Sequence, residues 1–248
     1  IDRSIKITGP HKLHCQQYGI MCPFETPDGA SVGYLKNMAM LTKIASGVDT
    51  NYIKDCLIDI GIIPIETYNS PIHKDIASVF LNGTLYGISK DPYIHIRTLR
   101  AYRRNSLINS LISVSWNIKF NEIRILTEAG RPTRPLVIAN KEIKSVKNWF
   151  DLICGTILEF SDDNKSDEFY FRNIYIKPDT IKSLKSKSSE EILTILEKSG
   201  ASIEYLDIEE EDTCLVAMTP DDVTGIHTHI EIHPSTMFSV VSANIPLC

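Results

Sequence analysis

Apolar residues fall in short blocks separated by polar, Gly- or Pro-bearing connectors, a pattern that predicts a mixed α+β fold of short strands, hairpins and several helices. Over residues 52–65 the apolar positions Ile53, Leu57, Ile58, Ile60, Ile62 and Ile63 predict a short helix that Gly61 and Pro64 bring to an end. Residues 78–88 place β-formers on both sides of Asn82-Gly83, the strongest hairpin signal in the chain. Residues 92–105 read as a helix, and its i,i+3 and i,i+4 spacing puts Arg97, Arg100 and Arg104 on one face. Strands are predicted at 112–117, 121–127 and 135–138, with Arg131 and Arg134 around the tight turn between the last two. The middle of the chain is less patterned: a helix at 145–160, a polar loop at 161–168 and a helix at 180–198 that Ser188 or Ser189 caps. Two strands, 203–208 and 214–218, flank an acidic turn.

One stretch departs from all periodic patterns. Residues 11–41 carry Gly19, Pro23, Pro27, Gly29 and Gly33 in close succession, which predicts a stiff, irregular connector. Thr26-Pro27-Asp28-Gly29 has the chemistry of a type I or II turn with Pro27 at its second position. Glu25 immediately precedes that turn. It is either a solvated surface carboxylate or a group that a preorganised loop holds against a ligand or partner. Lys36 and Asn37 then open an apolar run at 38–44 that anchors the loop.

At 248 residues and 43% hydrophobic, the chain can bury a core of one large or two modest domains. Its formal net charge of −5 gives no global basic field of the kind a free-standing nucleic-acid binder carries. Charge is nevertheless uneven. Within the first forty-four residues, Arg3, Lys6, Lys12, Lys36 and Lys43 outnumber Asp2, Glu25 and Asp28. Residues 201–222 hold Glu204, Asp207, Glu209, Glu210, Glu211, Asp212, Asp221 and Asp222 with no Lys or Arg. The cysteines, Cys15, Cys22, Cys56, Cys154, Cys214 and Cys248, form no C-x-x-C pair and read as reduced, mostly buried thiols of an intracellular protein. No signal peptide and no membrane-spanning apolar run are legible. Starting on Ile1 and ending on an apolar segment, the chain reads as a piece of something longer.

Three groups of residues invite chemistry. Four arginines in eight residues, Arg97, Arg100, Arg103 and Arg104, suit phosphates, a partner's carboxylates or a solvated face. The acidic run invites a metal, but consecutive strand residues alternate faces and would not converge on one ion. His227, His229, Glu231 and His233 recur at every second residue, so on a strand they share a face. That row would suit either a zinc-dependent enzyme or a packed, hydrogen-bonded row. No phosphate-binding G-x-x-x-x-G-K motif is present. An interaction module unrelated to any of this chemistry is a further reading.

The segment LHCQQYGIMCPFETPDGASVGYLKNMAML, residues 13–41, resembles the signature of the second-largest, beta-type subunit of multisubunit DNA-directed RNA polymerases, in their eukaryotic, archaeal and large-DNA-virus branch. Cys22, Pro23, Glu25, Thr26, Pro27, Gly29, Gly33, Lys36 and Asn37 stand where the family has the same residues, while Tyr18, Phe24, Asp28 and Tyr34 replace its Trp, Ala, Glu and Leu. Blocks at 78–88, 125–136, 203–218, 228–235 and 237–246 resemble later family segments in the same order.

The resemblance implies part of the fork and external domains. It divides the chain into a fork-region segment at 1–50, a first external domain at 51–120, a connecting strand pair at 121–140, a second external domain at 141–225 and the start of a hybrid-binding region at 226–248. It further implies a share in the active-centre cleft of a nucleotidyltransferase, with the 22–37 loop facing the centre, Glu25 fixing nearby basic residues, and no catalysis by the fragment alone. No metal is expected on this chain. Magnesium would belong to the largest subunit, and zinc to parts of the parent subunit elsewhere. The implied partners are the largest and smaller polymerase subunits, template DNA and the RNA–DNA hybrid, without a membrane. The implied location is the nucleus of a eukaryotic cell, or the host cytoplasm or virion for a large DNA virus. Arg97, Arg100, Arg104, Arg131 and Arg134 are the candidate phosphate or partner contacts, and in the family Arg131 and Arg134 suit structural pairs better.

Overall fold

The computed structural model describes residues 9–71, 76–139, 189–199, 201 and 203–245. The helix expected at 145–160, the polar loop at 161–168, Cys154 and Cys248 lie outside these residues. Two sheets organise the rest. The first runs in the order β2 (Ile63–Pro64), β4 (Thr84–Ser89), β3 (Ala77–Leu81), β6 (Glu122–Leu126), β5 (Ser113–Asn117). Its β3–β6 pair is parallel and its other pairs are antiparallel. Helix α1 (Thr50–Ile60) and helix α2 (Pro92–Arg104) contribute to the sheet's core, where Ile53, Leu57, Ile96 and Leu99 join Val79, Val114, Ile123 and Ile125. Burying this many aliphatic side chains is the main favourable term in folding.

Local chemistry accounts for the element ends. Asp49 caps α1 by accepting from the Asn51 N–H at 3.0 Å, and Gly61, at φ 104°, closes it in the left-handed region. Asn82 and Gly83 both take positive φ (49° and 77°), as a two-residue hairpin of this twist demands. Asn82 also reaches across to the end of β6: its Oδ1 accepts from Thr127 N and its Nδ2 donates to Thr127 Oγ1, both at 2.8 Å.

The second sheet is centred on β7 (Pro132–Ile138). Strand β8 (Ile203–Asp207) pairs along one edge of β7, while β1 (Lys43–Ile44) and β10 (His229–Ile230) share the other; β10 continues to β9 (Val216–Ala217). A smaller core of Val137, Ala217, Val223 and Ile230 lies here. Helix α3 (Ser189–Ser199) occupies the C-terminal part of the helix expected at 180–198.

The fold departs from the sequence reading in three places. The turn after β6 does not fold β7 back onto it; the chain passes from one sheet to the other, because both edges of β6 are already occupied by β3 and β5. The acidic segment is a short helix, α4 (Ile208–Glu211), in place of a turn, and Asp207 caps it by accepting from Glu210 N at 3.0 Å. Residues 26–29 do not form a type I or II turn. Asp28 is extended (φ −78°, ψ 160°) and its carboxylate accepts from Gly29 N at 2.8 Å, starting a short 3-10 turn at Gly29–Ser31.

Candidate functional site

The 22–37 loop is fixed from within. At its base Met21 bridges Met38, Cys22 N donates to Asn37 O (2.8 Å) and Ala39 N to Ile20 O (2.8 Å). Further along, Thr26 Oγ1 accepts from Gly33 N (2.7 Å) and donates to Leu35 O (3.1 Å), closing the turn across its own mouth. Gly33 takes φ +69°, and a Cβ there would collide with the His11 carbonyl, so only glycine fits. Lys36 Nζ donates to Lys12 O (3.1 Å) and Gln17 Oε1 (2.9 Å), tying the loop to the preceding segment. Pro23, Pro27 and Gly29 lie exposed on the outer rim.

The loop turns around the sulfur of Cys22. That buried atom accepts from Phe24 N at 3.4 Å and Glu25 N at 3.3 Å, and lies 3.6 Å from Ser242 Oγ. Burial pushes the thiol pKa up, but hydrogen bonding from Glu25, Ser239, Ser242 and Phe24 outweighs it and brings the value down to about 7. Glu25 is thereby held by its backbone, its N–H on Cys22 and its carbonyl accepting from Asn37 Nδ2 at 3.4 Å. Its half-buried side chain forms no ion pair among the described residues. Around it Phe24, Tyr34 and Leu35 are 62%, 55% and 55% exposed. The loop thus presents a hydrogen-bonded frame carrying the Glu25 carboxylate, without an ion pair among the described residues, and an apolar rim.

Behind the loop, the arginines and the acidic run find each other. Arg103, buried, donates to Glu210 Oε2 (2.6 Å) and Glu204 Oε2 (2.8 Å). Arg104 reaches Glu204 Oε1 at 2.6 Å, and Arg100 lies 3.3 Å from Glu210. Arg131 binds Asp207 at 2.8 Å; Arg134 holds Glu231 at 2.6 Å together with Glu211. Arg97 forms a fork with Glu197 of α3 at 2.8 and 2.7 Å. Each of the five arginines raised as phosphate or partner contacts therefore carries a carboxylate of this chain. Burial opposes the charge on Glu204, yet Arg103, His229 and Arg104 hold its carboxyl well below the usual range. Arg134 also lies over the Tyr18 ring (5.5 Å), and a Cβ on Gly19, at φ +69°, would collide with its guanidinium. Through these contacts the network supports the segment leading into the loop.

The family description RNA polymerase Rpb2, domain 3 matches residues 1–44, and RNA polymerase Rpb2, domain 4 matches residues 79–140. The DNA-directed RNA polymerase II subunit 2 of Arabidopsis thaliana is 30% identical over 257 aligned residues, covering 99% of this chain and 19% of its own. This chain belongs to the family of second-largest subunits of multisubunit DNA-directed RNA polymerases. Further relatives include an archaeal and a fungal subunit. Subunit Rpo2 of Sulfolobus acidocaldarius is 31% identical over 94% of this chain and 19% of its own, and RPB2 of Schizosaccharomyces pombe is 28% identical over 99% and 21%. The chain spans about a fifth of the length of these polymerase subunits.

In this polymerase-subunit fragment the histidine row does not act as a row. Only His229 lies on a strand; its Nε2 meets Glu204 Oε1 at 2.8 Å. His227 Nδ1 accepts from Thr224 N at 3.0 Å, and His233 Nδ1 accepts from Ser235 N at 3.2 Å to cap a 3-10 turn. Glu231 is taken by Arg134. The three imidazoles bond to different partners, and no group of three or more His, Cys, Asp or Glu among the described residues is arranged to hold a metal ion. Burial lowers the His229 pKa, but bonds to Cys214 and Glu204 overcome it and lift the value to about 9. The sequence did not reveal Glu204, Glu210, Glu211 and Glu231 as counter-ions; the available signal was a lysine- and arginine-free acidic run matched by arginines elsewhere.

Proposed function

We propose that this chain forms part of the active-centre cleft of a DNA-directed RNA polymerase, with the 22–37 loop turned toward the nucleic acid. The observation that carries the reading is the Glu25 carboxylate: its backbone is pinned at both sides, while its side chain makes no ion pair with the described residues. Such a group is preorganised for a cation that another part of the assembly brings, in a charge-assisted bond. Lys36 adds positive charge beneath the loop and secures its base. The arginine network is the scaffold that keeps this frame in place. Partners in the assembly are the largest and smaller polymerase subunits, template DNA and the RNA–DNA hybrid. Magnesium on the largest subunit supplies the nucleotidyl-transfer chemistry, and structural zinc belongs to other parts of the second-largest subunit. The site of action is the nucleus for a cellular eukaryotic source and the host cytoplasm or virion for a viral one.

Glu25→Ala in the reconstituted multisubunit enzyme tests this. Assembly and the melting profile of the fragment stay unchanged, whereas elongation rate or fidelity falls. Unaltered elongation and fidelity in a normally assembled enzyme would overturn the assignment.

A further inference from the structure

Strand β5 is an edge of the first sheet, and its outer side is only half covered. Its residues alternate between facing β6 and facing outward. The main-chain groups of Val114 point to the outer edge: its N–H donates to Glu210 Oε2 at 3.2 Å and its carbonyl accepts from Arg100 NH2 at 3.3 Å. Just before the strand, the Ile112 carbonyl accepts from Arg103 NH1 at 2.9 Å. Side chains of the ion-pair network thus do for this half of the edge what a neighbouring strand would do.

Two residues beyond Val114 the same alternation turns the N–H and C=O of Trp116 outward, and no such cap on them is found among the described residues. At that point the surface opens into a cavity of about 490 Å³, whose walls include Trp116, Ile118, Gln16, Arg124, Glu209 and Asp212. Arg124 is already engaged by Glu122 at 3.0 Å and Glu209 at 3.4 Å, so carboxylates outnumber cations around the opening. The adjoining hairpin tip exposes Ile118 (73%) and Phe120 (63%). An uncapped strand end, apolar side chains beside it and an acidic wall make a composite surface.

We infer that the Trp116 end of β5, with Ile118 just beyond the strand, is a docking site for an extended protein segment that adds as a short strand and places a lysine or arginine against Glu209 and Asp212. Main-chain bonds to Trp116 supply attachment, Ile118 and Phe120 supply apolar contact, and the acidic wall selects the side chain. The excess of carboxylates rejects a nucleic-acid backbone at this face. The inference concerns a surface distinct from the 22–37 loop and stands without the polymerase reading.

The test uses this chain with a short synthetic peptide of alternating valine and lysine, and a valine–glutamate peptide for comparison. The lysine peptide binds about tenfold more tightly than the glutamate one. It slows hydrogen exchange at the Trp116 amide, and Ile118→Lys and Glu209→Lys each abolish both effects while leaving the melting temperature unchanged. Equal binding of the two peptides, an unprotected Trp116 amide, preference for a single-stranded oligonucleotide, or self-association through β5 that the lysine peptide does not compete would each overturn it.

Discussion

Arg103 shows how much one side chain can hold. Its guanidinium is buried between Glu204 and Glu210 and also reaches the Ile112 carbonyl. Removing it takes away the central counter-charge of a buried set, leaving Glu204 to Arg104 and His229 and Glu210 to Arg100 alone. Arg103→Met is therefore expected to destabilise the chain by about 3–5 kcal/mol, measured as a lowered urea midpoint. His229 gives a pH signature. Its ordinary value is 6.5 and its folded value about 9, so the protonated form favours the fold. Its contribution is complete below about pH 6.5, fades as pH rises toward 9 and is gone above that. Stability measured by denaturant titration from pH 6 to 10 should fall through this window, and His229→Gln should flatten the fall. Neither role was legible in the sequence. Arg103 looked like one of four helix charges, and its partners lie 101 and 107 positions away.

At the scale of elements, local chemistry was readable wherever neighbours in sequence decide the outcome. Helix α1, its end at Gly61, the Asn82-Gly83 hairpin and α2 all follow from spacing and turn residues. Because Asp49 alone caps the first turn of α1, Asp49→Ala should lower stability by about 1 kcal/mol, read from thermal melts. What could not be read was pairing between distant segments. The sequence of β6 and β7 suggests a hairpin, since each is β-rich and a Gly-containing turn separates them. The occupied edges of β6 decide otherwise, and edge occupancy is a tertiary fact. The loop stands between these cases. Its stiffness followed from Pro and Gly, but the Cys22 sulfur at its centre and the shift of the turn to Gly29–Ser31 did not.

Across the whole molecule, ion pairs do the joining that apolar contacts do elsewhere. The first core is large and the second small, and arginines of α2 reach the second sheet at Glu204. Heating should therefore melt the described regions in one calorimetric transition, with Arg103→Met separating the sheets into two. Two transitions in the unaltered chain would show that the sheets are energetically independent.

That joining also imposes an order on biosynthesis. Helix α2 leaves the ribosome about a hundred residues ahead of the glutamates that neutralise it, so for that interval its arginines face water with no native counter-ion. The ion-pair network is completed only once residues 204–211 emerge, and until then the nascent chain offers a cationic helix to whatever anions, ribosomal RNA among them, lie nearby.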